Sequence, residues 1–495
     1  MLSDTGYAIE ARIQHKSEGK QVTVQKTGLT YELPHTYVLL FVVIMLIAAL
    51  TWIVPSGSFE RKELTTEGGS VASTVVPGTF RPIDKVTAGR DLRQGPFDVL
   101  SAPAKGIVRA ADVIAFVLLL GGVFGIITRT GALDRGLRVL ATKFSDKGIF
   151  VIPIMITLLS LGGSTFGMSE EAIALYPIVI SLMFLLRFDS MTAVLILFLG
   201  TQVGYIGATI NPFSVLLAQA ISGIHGNPQL WFRAIAWFVF TSLAIAYTMW
   251  YAHKVRKHPE SSPVFISDKE LQLTVASSQE HHPGFTVSDR AILATFIVTL
   301  ATISWGLLSR GWYMTEIGAA FLACGLISGV VAKMGPSEIA GHFVDGCKDF
   351  VYAAFIIGLA RGILIVAEQG MIIDPILNSL SGFLSSIPTY AFTTLNLLAH
   401  NIVTFFVPSS SGEAALTMPV LAPLGDLVGV NRDSLVLAYQ FGNGLTNLIS
   451  PTNGLLLAGL AIARIRFSQW FKVIFPFFLM AWPLAAILAW VSTYL

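Results

Sequence analysis

Apolar runs about as long as a bilayer is thick recur along the whole chain, and they decide what it can fold into. Thr36 to Val54, Val113 to Thr128, Phe232 to Trp250, Ala291 to Leu308 and Val473 to Val491 are such runs. Each approaches or matches the roughly 18 residues that a helix needs to cross a hydrocarbon core. Of 495 residues, 54% are hydrophobic and only 13% are charged, against about a quarter charged in a soluble domain. A soluble globule is excluded, and the sequence predicts an all-α polytopic membrane protein in a lipid bilayer.

The charge balance excludes more. Thirty-two Lys and Arg against thirty Asp and Glu leave a net charge near +2, which predicts no nucleic-acid partner. Cys324 and Cys347 stand in or beside apolar segments without metal-ligand spacing, so they read as packing residues. Residues 1–33 are polar and carry no short apolar core with a cleavage site, so the first span is expected to act as an internal signal anchor.

Between polar breaks, apolar spans fall near 36–55, 108–128, 149–161, 172–186, 190–210, 212–224 and 231–252. After a polar linker they resume near 290–308, 314–332, 350–367, 391–407, 414–424, 434–449, 452–463 and 472–493. Several are too short to cross alone. Lipid leaves no partner for open backbone groups, so short Gly- or Pro-interrupted pieces are expected as re-entrant hairpins or broken helices buried in protein.

The two halves can be laid over one another. Arg129-Thr130-Gly131, followed by Asp134, matches Glu368-Gln369-Gly370, followed by Asp374. Ser169-x-Glu171-Ala172 with Pro177 matches Ser411-x-Glu413-Ala414 with Pro419. Asn211-Pro212, after Gly200, Gly204 and Gly207, matches Ser450-Pro451, after Gly442 and Gly444. All three offsets are about 240 residues, and a common offset predicts a duplication.

Loop charges then predict that the copies are inverted, because Lys and Arg in short loops mark the cytoplasmic side. The loop 129–148 carries Arg129, Arg135, Arg138, Lys143 and Lys147, whereas its partner 368–388 has no Lys or Arg. Conversely Arg464, Arg466 and Lys472 follow the second Pro motif, and the stretch 222–230 after the first has neither residue type. The predicted domains are a cytoplasmic segment 1–33; a first repeat 34–252, with a hairpin near 162–186 and a broken helix near 200–224; and a cytoplasmic linker 253–289 containing Lys254, Arg256 and Lys257. A linking transmembrane helix 290–309 and a second repeat 310–495, with a hairpin near 408–430 and a broken helix near 440–463, complete the chain. The loop 57–105 falls outside.

Paired broken segments in inverted repeats point to a carrier whose substrate binds at the midplane between them. Two hairpin tips are expected, 162–171 with Ser164, Thr165, Ser169 and Glu171, and 408–413 with Ser409, Ser410, Ser411 and Glu413. Small residues there let backbone N–H groups face a ligand, and hydroxyls add donors and acceptors. The alternative, that Ser and Gly merely cap helices, competes at each tip. Asn211-Pro212-Phe213-Ser214 and Ser450-Pro451-Thr452-Asn453 read as helix breaks whose freed carbonyls and polar side chains hold substrate or a small cation. Asn443 precedes the second break.

Ionisable residues at membrane depth cost roughly 2.5–3.5 kcal/mol on insertion scales and so need a partner or a purpose. Glu171 and Glu413 bind an ammonium, carry a coupling proton, or cap helices. Arg361 clamps a carboxylate or pairs with Glu368 or a tip Glu. His400, beside Asn401, relays protons or packs. Gln202 and Gln440 line the site or pack near the Gly stretches, and His281 and His282 are solvated linker residues. The Gly121/Gly125, Gly325/Gly329 and Gly358/Gly362 spacings permit close helix approach, more in packing than in dimerisation.

At these residues a family resemblance emerges. Pro34-His35-Thr36, the run Thr51 to Gly57, Phe166 to Glu171, Asn211-Pro212-Phe213 and above all Ser409 to Pro423 resemble the YfcC family of C4-dicarboxylate anaerobic carrier-like proteins, within the ion transporter superfamily. The resemblance covers essentially the whole chain. It implies a bacterial inner-membrane secondary carrier, a homodimer, with a scaffold domain and an elevator-type transport domain that contains both hairpins. Family functions range from dicarboxylate uptake to basic amino-acid exchange. Related carriers use Ser-Asn-Thr triplets for sodium; Ser409-Ser410-Ser411 and Ser450-Pro451-Thr452-Asn453 depart from them, so the coupling ion stays open between Na+ and H+, with no other cofactor expected.

The expected function is secondary active transport of a small carboxylate-bearing metabolite, an amino acid or a C4-dicarboxylate, by alternating access. A passive channel and a membrane enzyme are the competing classes. The sequence contains no His-Glu-x-x-His, Gly-x-Ser-x-Gly or Walker-type motif, which leaves an enzyme without support.

Overall fold

The computed structural model describes residues 36–65, 71–87, 89–143, 148–224, 227–270, 285–310, 312, 314–385 and 387–495. The expected segment 1–33 and residues 271–284 of the linker, with His281 and His282, lie outside the described residues. Eight helices among the described residues are long and apolar enough to cross a membrane.

The apolar runs become helices in the order expected. Helix α1 spans Thr36–Ile53, α2 Pro96–Arg109, α3 Ala111–Arg129 and α4 Ala132–Lys143. A hairpin follows, from α5 (Val151–Thr165) through a 3-10 turn at Glu170–Leu175 into α6 (Tyr176–Leu185). Helix α7 (Ser190–Ile206) breaks before α8 (Val215–Ile221), and α9 (Leu230–Lys257) closes the series. The second half has α10 (Val287–Arg310), α11 (Met314–Val331), α12 (Pro336–Gln369) and α13 (Ile373–Leu384). Its hairpin is α14 (Thr389–Phe406) and α15 (Ser410–Val428); its broken helix is α16 (Arg432–Ile449) and α17 (Gly454–Ile462), and α18 (Phe467–Ser492) ends the chain.

Two expectations are corrected. The chain is mostly helical rather than all-α, because the loop after α1 forms three antiparallel strand pairs: Ser56–Ser58 with Arg81–Ile83, Arg61–Thr65 with Val71–Val75, and Val86–Thr87 with Arg90–Asp91. This polar loop has no helical hydrophobic period, and local pairing satisfies its backbone groups instead. The span expected at 350–367 is only the inner part of the much longer α12. That helix begins at Pro336, whose fixed φ suits a first helical position, and the Glu338 carboxylate accepts from the Gly335 N–H at 3.3 Å.

Helices α1, α2 and α3 pack around α12, and α11 packs on α3. Glycine sets the closeness of that packing: a Cβ on Gly106 would stand 2.1 Å from the Gly358 carbonyl oxygen, and one on Gly125 would stand 2.7 Å from the Gly346 Cα. The Gly121/Gly125 and Gly358/Gly362 spacings are therefore used within the chain, against α12 and α2 respectively. A second group forms where α5 packs on α7, and α16 packs on α14 and α18. Between these groups α12 meets α17, and the strand Val71–Val75 lies against α15.

Candidate functional site

Each hairpin tip is built by its own residues and then held by a tyrosine. In the first, the Gly162 carbonyl accepts from the N–H groups of Phe166, Gly167 and Met168, at 3.1–3.2 Å. Gly167 takes φ +79°, a conformation that disfavours a side chain. Tyr205 Oη, on α7, donates to the Gly167 carbonyl at 2.6 Å, and the Ser169 N–H donates to Glu171 Oε2 at 3.0 Å. In the second, Ser409 caps α15 by accepting from the Gly412 N–H at 3.3 Å, and Tyr439 Oη, on α16, donates to the Ser410 carbonyl at 2.6 Å.

The breaks are held by their flanking polar residues. Asn211 Oδ1 accepts from the N–H groups of Phe213 and Ser214 at 2.9 and 3.2 Å, while its Nδ2 donates to the Gly163 carbonyl at 2.9 Å. Ser164 Oγ bonds Thr209 Oγ1 at 3.1 Å, which ties the first tip to the first break. In the second half Ser450 Oγ and Thr452 Oγ1 bond at 2.7 Å, and Asn453 Oδ1 caps α17 by accepting from Leu455 and Leu456. Pro212 and Pro451 supply no N–H, which weakens any helix continued through them and favours the breaks that the flanking polar residues hold.

Both tips and both breaks converge on one cavity of about 210 Å³. One wall comes from the start of α3 with Asp112 and from α12 with Arg361. The other comes from the tips and breaks, with Ser169, Glu170, Glu171 and Ser409 to Ser411. One guanidinium thus faces three carboxylates. Among the described residues the Arg361 guanidinium makes no hydrogen bond or ion pair, although it lies in the field of Glu170. Its five donors are left for a ligand.

The structure divides the residues singled out in the sequence. Ser169, Glu171, Arg361, Ser409, Ser410, Ser411, Asn443, Thr452 and Asn453 line the cavity. Ser164, Thr165, Asn211, Glu413 and Ser450 are outside its lining. Asn211, Ser164 and Ser450 are buried braces, and Thr165 Oγ1 donates to the Leu161 carbonyl of its own helix at 2.7 Å. Glu413 is 0% exposed. Its oxygens accept from Thr404 Oγ1 at 2.7 Å and Asn443 Nδ2 at 2.8 Å, and lie 2.7 Å from His400 Nδ1. Glu171 and Glu413, equivalent in sequence, therefore differ in place: the first faces the cavity and the second lies behind it.

Gln202 lines the cavity, whereas Gln440 donates to the Ile206 and Ala208 carbonyls at 2.7 and 3.0 Å. Asp112, Glu170, Tyr205 and Asn447 also line it, and the sequence pattern alone does not single them out. Glu170 adjoins Glu171, and Asn447 repeats Asn443 one helical turn on. Asp112 stood at the head of an apolar run, where an acid reads as an interface residue.

The chain matches the family described as C4-dicarboxylate anaerobic carrier, DcuC, over residues 33–494. It is 35% identical over 482 residues to YfcC of Escherichia coli (strain K12), whose name marks it as a proposed basic amino acid antiporter, covering 91% of this chain and 94% of that protein. It is 31% identical over 490 residues to a protein of Haemophilus influenzae, covering 91% and 95% respectively. Among solved structures, the YdaH transporter of Alcanivorax borkumensis aligns with a TM-score of 0.40 and 14% identity over 92% of this chain and 98% of that one.

Proposed function

The chain belongs to the C4-dicarboxylate anaerobic carrier family, a family of membrane transporters and not enzymes, and from that premise we propose that it exchanges basic amino acids across the bacterial inner membrane by alternating access. The observation that carries the substrate class is the cavity's charge: one unpaired guanidinium set against Asp112, Glu170 and Glu171. A basic amino acid has one carboxylate and two cationic groups. In our reading its carboxylate lies on Arg361 and the Ser409 to Ser411 hydroxyls, and its cationic groups lie among the three acids. The cavity is below the ~300–1,000 Å³ of drug-sized sites, which suits a small metabolite.

The inverted duplication supplies the mechanism. Inverted copies can exchange conformations, giving inward- and outward-open states of similar energy. In this reading the group of helices around α12 is the scaffold, and the hairpins with the broken helices move against it as an elevator. The mixed origin of the cavity walls supports this, since such motion carries the tips away from Arg361 and Asp112. Residues 1–33 and the linker 253–289 are then cytoplasmic, and two chains form the carrier.

The family description favours a second reading, C4-dicarboxylate transport. Counterflow in proteoliposomes separates the two. Labelled L-arginine exchanged for internal L-arginine, with competition by lysine and ornithine but not by succinate or fumarate, is the expected result. Competition by succinate alone overturns the amino-acid reading, and conductance without trans-stimulation overturns the carrier.

A further inference from the structure

Behind the cavity lies a second ionisable group that the binding of a substrate does not use. His400 and Glu413 are both 0% exposed and meet at 2.7 Å through His400 Nδ1 and Glu413 Oε1. Thr404 and Asn443 donate to the other carboxylate oxygen, Glu413 Oε2, at 2.7 and 2.8 Å. The carboxylate is thus fully engaged. His400 Nε2, in contrast, is buried and has no hydrogen-bond partner.

Among the described residues, the ion pair that Glu413 makes is with His400. From α16 the Tyr439 ring meets the imidazole edge-on, with centroids 5.4 Å apart, and its hydroxyl is committed to the Ser410 carbonyl. Tyr205 of α7 lies beyond, committed to Gly167. From α8, Ala218 packs on α15 through Ala414 and Met418. From α18, Trp482 donates to the neighbouring Asn401 at 2.8 Å. Among the described residues no Lys or Arg forms an ion pair with Glu413.

We propose that His400 and Glu413 form a proton-binding site that couples proton movement to transport. The charge arithmetic gives the reason. A neutral imidazole beside a carboxylate leaves a net charge of −1 on two side chains that are both 0% exposed, which is expensive. One proton, forming the bond to Nε2, turns the pair into an imidazolium and a carboxylate with no net charge. The site therefore crosses the low-dielectric interior most readily when it holds one proton, taken from the water on one side and released on the other. The link to the substrate is Asn443, which lines the cavity with one end of its reach and holds Glu413 Oε2 with its amide; Asn447 Nδ2 donates to Asn443 Oδ1 at 3.1 Å.

The proposal rests on the carrier reading but not on the identity of the substrate, and two measurements keep these apart. The first uses no substrate. In lipid bilayers, solid-state 15N spectra of histidine-labelled protein, with His400 assigned by the signal missing from His400→Gln, are expected to show an Nδ1-protonated ring whose Nε2 takes up a proton as pH falls from 9 to 5. A single protonation state across that range overturns the proposal. The second measures L-arginine accumulation driven by an imposed pH gradient. Wild type is expected to accumulate arginine several-fold above equilibration, and His400→Gln is expected to lose that accumulation. Gradient-driven accumulation retained by His400→Gln overturns the proposal. Thr404→Val, which removes one donor from the carboxylate and keeps the shape, is expected to shift the pH midpoint of transport upward, and an unshifted midpoint counts against the site. Wild type that moves no arginine in counterflow overturns the substrate reading alone, and the spectra still decide the proton site.

Discussion

Arg233 Nη2 and Asp433 Oδ1, 200 residues apart in the chain, meet at 2.9 Å in the protein interior. Gln219 Nε2 and the Gln229 N–H donate to the same carboxylate at 2.9 and 3.1 Å, and Gln440 accepts from Arg233. Because Gln440 also donates to the Ile206 and Ala208 carbonyls, the network caps the broken end of α7 with residues of α16. The two halves are thereby fastened beside the cavity, at a place where α7 would otherwise leave carbonyls without donors.

Removing one partner of that ion pair leaves a buried charge uncompensated. Arg233→Met is expected to lower stability by about 3–5 kcal/mol. Arg233→Met combined with Asp433→Asn removes both charges and is expected to recover part of the loss. Thermal unfolding of the purified protein in detergent reads both, and a single variant as stable as wild type refutes the role assigned to the pair.

The free guanidinium of Arg361 offers planar, two-point contact that a lysine ammonium lacks. Arg361→Gln is expected to cut kcat/KM for arginine counterflow at least tenfold, about 1.4 kcal/mol or more, and Arg361→Lys is expected to recover little of it. Asp112→Asn is expected to weaken competition by lysine and ornithine more than competition by neutral amino acids. Equal effects on both classes would show that Asp112 does not read the substrate's second charge.

The helices and the convergence of tips and breaks could be read from residue types, because apolar length, Pro and clustered small polar residues act locally. Ser409, Pro451 and Gly167 shape the backbone within a few residues of themselves, and a repeat of such signals marks them twice. The side chains that complete the cavity answer to a different rule. Asp112 and Arg361 arrive from two helices, α3 and α12, that become neighbours through Gly121, Gly125 and Gly346, and no spacing along the chain encodes that meeting. His400 and Glu413 are likewise joined by the turn between α14 and α15, so either residue alone resembles a packing or capping residue. The Tyr205 and Tyr439 latches are similarly invisible, since each tyrosine fits an apolar helix face equally well without its hydrogen bond.

Close packing by glycine can be tested at two positions of opposite character. A Cβ on Gly106 would meet the Gly358 carbonyl oxygen at 2.1 Å and the Gly362 backbone N at 2.7 Å, both parts of a rigid helix. Gly106→Ala is expected to force α2 away from α12 and to cost roughly 1–3 kcal/mol. Gly341, within α12, has nothing within 4 Å of its ideal Cβ. Gly341→Ala is expected to be neutral or stabilising by up to about 1 kcal/mol, since alanine restricts the unfolded chain and favours helix. Melting temperatures that move alike would refute the packing account.

The start of the linker is docked through two buried acids, Asp189 and Asp268, and its docking is expected to depend on pH. Asp268 accepts from the Ser190 N–H and hydroxyl at 2.8 and 2.6 Å. Nearby Asp189 accepts from Tyr251 and Ser262 at 2.8 and 2.6 Å. Burial, reinforced by the Asp189 charge, pushes the Asp268 carboxyl up to about 6, although the Ser190 hydrogen bonds pull the other way. A carboxyl raised on docking binds more protons docked than free. Its contribution is therefore complete below the ordinary Asp value of about 4 and is lost as pH rises through about 6. Amide exchange across residues 258–268 is expected to be slower at pH 5 than at pH 8, after correction for the intrinsic rate. Asp268→Asn, which keeps the shape and cannot ionise, is expected to remove that difference; the same difference in the variant would assign it to another group.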